Sequence, residues 1–318
     1  MGLIDRDKWE AKSLIFLRLS HMYDQFKIRQ RFYKQSDEHA VKKAYESIFQ
    51  KPLRLDSPKT LNEKLQWLKL YDHDPFYTTL CDKFAVREYI ASRFGEQYLV
   101  PLLFTTTDYR DIIPENIPDC HCILKASHDS GHYVIIRDKD SLDYPRLQEN
   151  CRFWLNVNYY HVWREWHYKD INPRRILIER LLETREGKIP NDYKLHFFNG
   201  EFQFIYVSYD REGVNDRCIY DRNWQRLPFV WVPGSTYRAT MNTADVPMPP
   251  TFPEMLRIGS EVARDLKYVR VDFYDVDGRL YMGEITLSHG SGFDQFFPER
   301  FDVIYGEKLK IKELTDAE

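Results

Sequence analysis

Residues 268 to 286 read Y-V-R-V-D-F-Y-D-V-D-G-R-L-Y-M-G-E-I-T. Apolar and polar residues alternate up to Asp277-Gly278 and resume beyond it, the pattern of a β-hairpin. Val269, Val271, Phe273, Tyr281, Ile285 and Leu287 fall on odd positions with Gly283 among them. Arg270, Asp272, Tyr274, Met282, Glu284 and Thr286 fall on even ones. Successive strand side chains point to opposite faces, so one face is core and the other polar and acidic. Register decides whether the acids meet. A two-residue turn at Asp277-Gly278 pairs Asp272 with Gly283 and sends Glu284 to the far face. A three-residue loop, Val276-Asp277-Gly278 with Gly278 left-handed, pairs Arg270 with Glu284 and Asp272 with Met282. We take the three-residue loop, in which Arg270, Asp272, Glu284 and Thr286 share a face. Two carboxylates on one face repel unless a cation sits between them, and carboxylate oxygens are hard ligands of the kind Mg²⁺ takes. An ordinary cross-strand ion pair between Arg270 and Glu284 is the plain alternative.

Composition narrows the class. The chain has 318 residues, 43% hydrophobic and 15% aromatic, ample for a packed core in one large domain or two or three lobes. A net charge of −3 with no long basic stripe speaks against nucleic acid. Five cysteines without a C-x-x-C pair suit a reducing compartment. Cys120-His121-Cys122 alternates faces on a strand, which disfavours a tetrahedral metal site. The N-terminal stretch shows no signal-peptide core, and its apolar run Leu14 to Leu17 cannot span a bilayer. We expect a cytosolic protein. Residues 1 to 34 hold eight Lys/Arg against four Asp/Glu. The plain reading of that excess is a packed helix with a solvated basic face; the sharper one is contact with an anionic membrane or a lipid-linked substrate.

Along the chain, helices are expected at 7 to 48, at Leu61 to Leu70 and at Tyr77 to Phe94, the last ended by Gly95. Tyr98 to Pro118 reads as a connection. Cys120 to Lys125 and Tyr133 to Arg137 read as strands around the polar loop Ser127 to His132. Gly131 and the N–H groups of such a turn can form an anion nest, with Lys125 adding a point charge. The loop's small polar residues suggest that it is cheap to disorder. The aromatic stretch Cys151 to Tyr168 reads as a helix against a sheet, with a sugar-stacking platform as the lesser reading. Arg175 to Leu182 is an aliphatic strand interrupted by Glu179, whose carboxylate must find donors. Tyr193 to Tyr209 is a hairpin turning at Asn199-Gly200, with Asp192 and Lys194 on one face of its first strand. Residues 212 to 252 are loop-rich. Pro253 opens a helix to Leu266. Ser288 to Gly292 is a flexible polar loop or a connection.

R-V-D-F-Y followed by G-E-I-T resembles the metal-binding strand pair of the ATP-grasp fold, and the whole chain resembles the TupA-like ATP-grasp proteins of bacterial surface-polysaccharide gene clusters. Four further pieces carry the likeness: P-K-T-L-N-E-K-L-Q-W-L (58–68), C-D-K-F-A-V-R-E-Y-I (81–90), I-L-K-A-S-H-D-S-G-H (123–132) and D-Y-K-L-H-F-F-N-G (192–200). The resemblance implies an α+β ATP-grasp fold, with two lobes of antiparallel sheet holding ATP between them and a helical N-terminal region before them. It divides the chain at 1–115, 116–182 and 183–318. It implies that Lys83, Lys125 and Lys194 hold the triphosphate, with Ser130 and Gly131 closing over it. The backbone of Arg180 to Leu182, beside Glu179, would bond the adenine, and Asp192 the ribose. Mg²⁺ would sit on Asp272 and Glu284. Thr286 stands where the family writes an asparagine ligand, and its hydroxyl is the poorer donor. Arg270 would stabilise the developing oxyanion, and Arg211 would clamp a phosphate or acyl substrate.

The implied activity is carboxylate–amine ligation through an acyl phosphate, joining an amine to a uronic acid or peptide of a surface polysaccharide. A lipid-linked saccharide at the inner membrane face is the partner that the polysaccharide setting suggests, with no nucleic acid. Three alternatives stand beside it. Asp275-Val276-Asp277 is a D-x-D of the kind that holds a cation in sugar-nucleotide transferases, although it coincides with a turn. A non-catalytic binding module and a phosphotransferase on the same fold are the others.

Overall fold

The computed structural model describes residues 13–213, 215–236 and 245–311; residues 7–12 of the expected first helix and 237–244 of the loop-rich region lie outside them. The N-terminal helical stretch is two helices. Helix α1 (Leu14–Tyr33) starts at a Ser13 cap, and Ser36 caps α2 (Asp37–Phe49), accepting the His39 N–H at 3.3 Å. Helix α3 (Leu61–Tyr71) opens on a capping box in which Thr60 and Glu63 each satisfy the other's backbone N–H. The expected helix over 77–94 also divides, into α4 (Pro75–Cys81) and α5 (Val86–Phe94). The Asp82 carboxylate takes the Phe84 N–H at 2.9 Å, and the Lys83 N–H goes to the Ser127 carbonyl at 2.9 Å. Such local bonds compete with helical ones and stop the helix.

Strand β1 (Leu102–Thr106) lies in the stretch read as a connection. It joins β2 (Cys122–Ala126), β3 (Tyr133–Ile136) and β4 (Ile176–Arg180) in an antiparallel sheet of order β1-β4-β2-β3. The aromatic stretch between β3 and β4 gives α6 (Tyr144–Asn156) and the single turn α7 (Tyr160–Trp163) rather than one long helix. Strands β5 (Asp192–Phe198) and β6 (Glu201–Tyr209) form the Asn199-Gly200 hairpin. The loop-rich region contributes β7 (Asp216–Tyr220) and β8 (Val230–Val232) before α8 (Phe252–Ala263). Strands β9 (Tyr268–Val276) and β10 (Arg279–Thr286) complete a second antiparallel sheet, β10-β9-β5-β6-β7. A short β11 (Gln295–Phe297) pairs with β8, and α9 (Arg300–Lys308) follows. Among the described residues no helix is long and apolar enough to cross a membrane.

The five-stranded sheet sorts its side chains by face. Leu195, Val269, Val271 and Phe273 bury against Met255, Ile258 and Val262 of α8. Gly259 lets the two layers close, since a Cβ there would stand 2.5 Å from the Phe197 ring. The opposite face carries Lys194 paired with Asp272 and His196 paired with Arg270.

Candidate active site

The β9–β10 hairpin turns in two residues, not three. Val276 pairs with Arg279, and Asp277 and Gly278 take φ of 51° and 89°. This is the type I′ geometry that Asp-Gly favours because it follows the strand twist. With that turn alone Glu284 would face away from Asp272. A β-bulge between Met282 and Glu284 brings it back: Phe273 pairs with Met282, Asp272 with Glu284, and Arg270 with Thr286. Gly283 is the extra residue. A Cβ on it would lie 2.8 Å from the Tyr274 ring, so a hydrogen suits the position. Met282, expected on the polar face, packs instead into the core with Phe273 and Leu280.

Arg270 is the cation between the acids. Its Nε and Nη2 donate to Asp272 Oδ1 and Oδ2 at 2.7 Å each, and Nη2 also donates to Glu284 Oε1 at 2.5 Å. Lys194 donates to Asp272 Oδ2 at 2.9 Å and to Asp192. Burial pushes the Asp272 carboxyl up, against the pull of Arg270 and Lys194. Glu284 keeps 32% of its side chain exposed. Partial burial opposes its charge, yet Arg270, Lys83 and Lys194 hold its carboxyl down at about 2. The Thr286 hydroxyl donates to Glu284 Oε1 at 3.0 Å.

Lys83 sits in the break between α4 and α5 and donates to the Asp129 carbonyl. The loop it reaches is anchored in its first half, contrary to the expectation that the whole of it disorders cheaply. Ser127, His128 and Asp129 are buried; His128 Nε2 donates to the Trp154 carbonyl at 2.9 Å, and His132 pairs with Asp129 at 2.6 Å. Within the loop Ser130 and Gly131 form the exposed tip, with Gly131 at φ 100°. Arg211 stacks over the Tyr274 ring at 5.6 Å, within electrostatic reach of Asp192. One charged cluster therefore gathers Lys83, Lys194, Arg270, Asp272 and Glu284, with Asp192 and Arg211 beside it.

Lys125 and Glu179 belong to the other sheet. Glu179 finds its donors in Lys125 at 2.6 Å and Arg87 at 3.1 Å, so Lys125 is paired there and not with the hairpin acids. The N–H groups of Arg180 and Leu181 donate to the Pro101 and His121 carbonyls at 3.0 Å. Of the backbone expected to bond the base, two N–H groups are thus committed within the protein. The D-x-D aspartates are spent on hydrogen bonds within the protein. Asp275 accepts the Gly278 N–H at 2.7 Å and the Thr251 hydroxyl at 2.5 Å, and Asp277 accepts the Arg185 N–H at 2.8 Å.

The cluster opens on a cavity of about 760 Å³. Arg270, Glu284 and Thr286 line one side of it; Glu165, Trp163 and Phe293 are also in its lining. Glu165 escaped the sequence reading. It accepts the Ser288 hydroxyl and, at 3.0 Å, the Ser291 hydroxyl. Burial raises its carboxyl, against the nearby charge of Lys69. Lys69 of α3 was also missed: it donates to the Ser291 carbonyl at 2.8 Å, and burial brings its ammonium down to about 7. Ser288 to Gly292, read as a flexible loop or connection, is tied down by these contacts and by Gln66, which donates to the Gly292 carbonyl at 2.6 Å. The signal for Glu165 was available: a carboxylate inside an aromatic run needs donors, as Glu179 does inside an aliphatic one.

Residues 63–310 match the family described as TupA-like ATPgrasp, well over half of the chain. The chain belongs to the TupA-like ATP-grasp family. Its antiparallel sheets lie within that match, and helices α1 and α2 precede it. No curated protein matches it. Among solved structures it is similar to the D-alanine–D-alanine ligase of Bacillus anthracis, at 14% identity and TM-score 0.36, covering 72% of this chain and 60% of that one. The Helicobacter pylori D-alanine–D-alanine ligase gives 15%, TM-score 0.38, and 80% and 71% coverage. The ATP-grasp ligase PsnB, complexed with a phosphomimetic precursor variant, Mg and ADP, gives 11%, TM-score 0.40, and 72% and 58%. The chain thus spans about three-fifths of the length of the Bacillus anthracis enzyme.

The donor set of this TupA-like chain suits a single Mg²⁺. Asp272 and Glu284 lie side by side across two strands, Glu284 lines the cavity, and Asp192 Oδ1 is buried without a hydrogen-bond partner. Among the described residues no group of three or more His, Cys, Asp or Glu is set to hold a metal by itself. Mg²⁺ ordinarily takes one or two carboxylates and completes its shell with phosphate and water oxygens.

Proposed function

We propose that this protein is an ATP-dependent carboxylate–amine ligase. The observation that carries the reading is the bulge at Gly283, which sets Glu284 beside Asp272 with Arg270 shared between them, on the wall of a large cavity. A substrate carboxylate oxygen attacks the γ-phosphorus of ATP; the bond to the β-phosphate oxygen breaks, giving ADP and an acyl phosphate. An amine then attacks the acyl carbon, inorganic phosphate leaves, and the amine gives up a proton. Asp272 and Glu284 would hold Mg²⁺, which neutralises phosphate charge when bound. Lys83 and Lys194 supply further positive charge, and the Ser130-Gly131 tip closes over the phosphates. Arg270 steadies the oxyanion that develops as the amine attacks. Glu165, whose carboxyl is raised by burial, is the group we assign to receive the amine's proton.

The acceptor side of the cavity mixes aromatic rings with serine hydroxyls and carboxylates, a lining that suits a saccharide. With the family resemblance, this supports a uronic acid of a bacterial capsular or cell-surface polysaccharide as the carboxylate and an amino acid or other amine as its partner. No observation favours the D-x-D transferase, whose aspartates already accept backbone N–H groups of the protein.

The test is incubation with Mg-ATP and a panel of uronic acids and amines, following ADP, phosphate and amide mass. Hydroxylamine added in place of the amine should trap the acyl phosphate as a hydroxamate. ADP release that needs no carboxylate, or a phosphorylated sugar hydroxyl in place of an amide, would overturn the ligase reading in favour of phosphotransfer.

A further inference from the structure

We propose that helix α1 docks this protein onto an anionic lipid surface. The helix is fastened to the body by one face. Leu17 and Ser20 are buried, His21 stacks on Phe153 at 4.2 Å, and Phe32 meets Tyr160 edge-on at 5.6 Å. The opposite face should be the polar one, and it is not. Ile15 is 72% exposed, Leu19, Met22 and Phe26 58% each, and Tyr33 79%. At 3.6 residues per turn these five fall on one narrow stripe along the helix. Single exposed apolar side chains are ordinary, but a continuous row of large ones marks an interaction surface.

The flanks identify the occupant. Arg18 and Arg29 border the stripe on one side and Lys27 and Lys34 on the other, all exposed. Arg18 also reaches Glu149 at 3.4 Å, and Lys27 lies over the Tyr23 ring at 4.4 Å. From Ser13 to Lys34 there are five Lys/Arg and one acid, Asp24. An apolar stripe between two basic rows is the pattern of a helix lying in the plane of a negatively charged membrane interface. A second copy of the helix would bring the same positive excess, and like charges oppose that pairing. Residues 1–12 hold three Lys/Arg and three Asp/Glu, so they offer no complementary charge. The solvated basic face read from the sequence is therefore half right: the basic residues are at the surface, and they frame an apolar row.

Cosedimentation of the full chain with vesicles tests this directly. Phosphatidylglycerol-containing vesicles should pellet the protein, and phosphatidylcholine vesicles at least about tenfold less of it, with binding weakened by added salt. The double variant Leu19→Glu/Phe26→Glu should lose at least about tenfold in partitioning, since each change puts a charge where a side chain enters the interface. Both positions are exposed, so its thermal unfolding should match that of the unaltered chain. Failure of the unaltered chain to pellet with either vesicle would overturn the proposal. So would equal pelleting of the variant. A lipid-independent dimer that the same variant dissociates would assign the face to a second copy and overturn it as well.

Discussion

Arg270 holds two carboxylates with one guanidinium, and a lysine in its place has no second arm. Arg270→Lys keeps the charge and loses the planar fork. We expect kcat for ADP release to fall by roughly 10²-fold while the KM for ATP changes by only about a few-fold. Steady-state kinetics check this, and a loss confined to KM would make Arg270 a nucleotide-binding group. Asp272→Asn removes the partner that two buried cations share. Breaking a buried pair on one side costs roughly 3–5 kcal/mol, so this variant should unfold at a distinctly lower denaturant midpoint as well as lose turnover. Asp302 of α9, packed against α3, gives a separate handle. It accepts the Asn62 N–H at 2.9 Å, and burial raises its carboxyl to about 6. The unfolded chain releases this proton near pH ~4. Between those values the unfolded state has lost a proton that the folded state keeps, so Asp302's contribution to stability falls as pH rises and is gone above about 6. Urea unfolding across that range should show the difference between the unaltered chain and Asp302→Asn shrinking by up to about 3 kcal/mol. A difference that stays constant with pH would reject the assignment.

At the scale of the element, the hairpin places its acids by two devices that act together, an I′ turn and a one-residue bulge. Deleting Gly283 should therefore be tolerated, because the glutamate then falls directly opposite Asp272 and every later pair stays as it is. Adding one paired residue to β10 between Arg279 and Met282 should instead abolish activity, by sending Glu284 to the α8 side. ADP release by the two variants, with circular dichroism as a check on folding, decides this; an inactive but folded deletion would refute it. The hairpin itself, its turn residues and the chemistry of its polar face were legible in the sequence. The bulge was legible too, but only to a reader who noticed the parity of the apolar residues. Leu280 and Met282 are even, Ile285 and Leu287 odd, and the switch happens across Gly283. Tyr281 hid it, being apolar enough to pass for a core residue while pairing with Tyr274. The division of the expected 77–94 helix was less visible, because it depends on Lys83 donating its N–H to Ser127, a residue far away in the chain. Lys69 escaped for the same reason: its partner lies more than a hundred residues away.

At the scale of the whole molecule, the antiparallel sheets and the segments between them bring charged residues from distant stretches, Glu165, Arg270 and Glu284 among them, to one cavity. We propose that the sheets act as the two lobes between which ATP lies, with the helical region before them. Mg-ATP at about a hundred times its dissociation constant should then stabilise the protein by about 2.7 kcal/mol. A thermal-shift series with Mg-ATP, ATP plus chelator, and Mg²⁺ alone checks it, and no shift with Mg-ATP would remove nucleotide from the reading. Helix α1 is tied into the same body, since Arg164 donates to the Phe32 carbonyl at 3.4 Å and Trp163 beside it lines the cavity. Whatever surface α1 rests on is thereby held near the acceptor end.

The bulge at Gly283 also bears on ancestry. Asp272 and Glu284 stand twelve positions apart, but the same two faces would meet at one position fewer if the bulge were gone. A lineage can therefore lose or gain this one residue without passing through an inactive form, because the glutamate stays opposite Asp272 at either length. Relatives aligned by counting along the chain would show a missing column there and suggest a lost ligand. Counted outward from the turn, strand against strand, they would show the acid in its place.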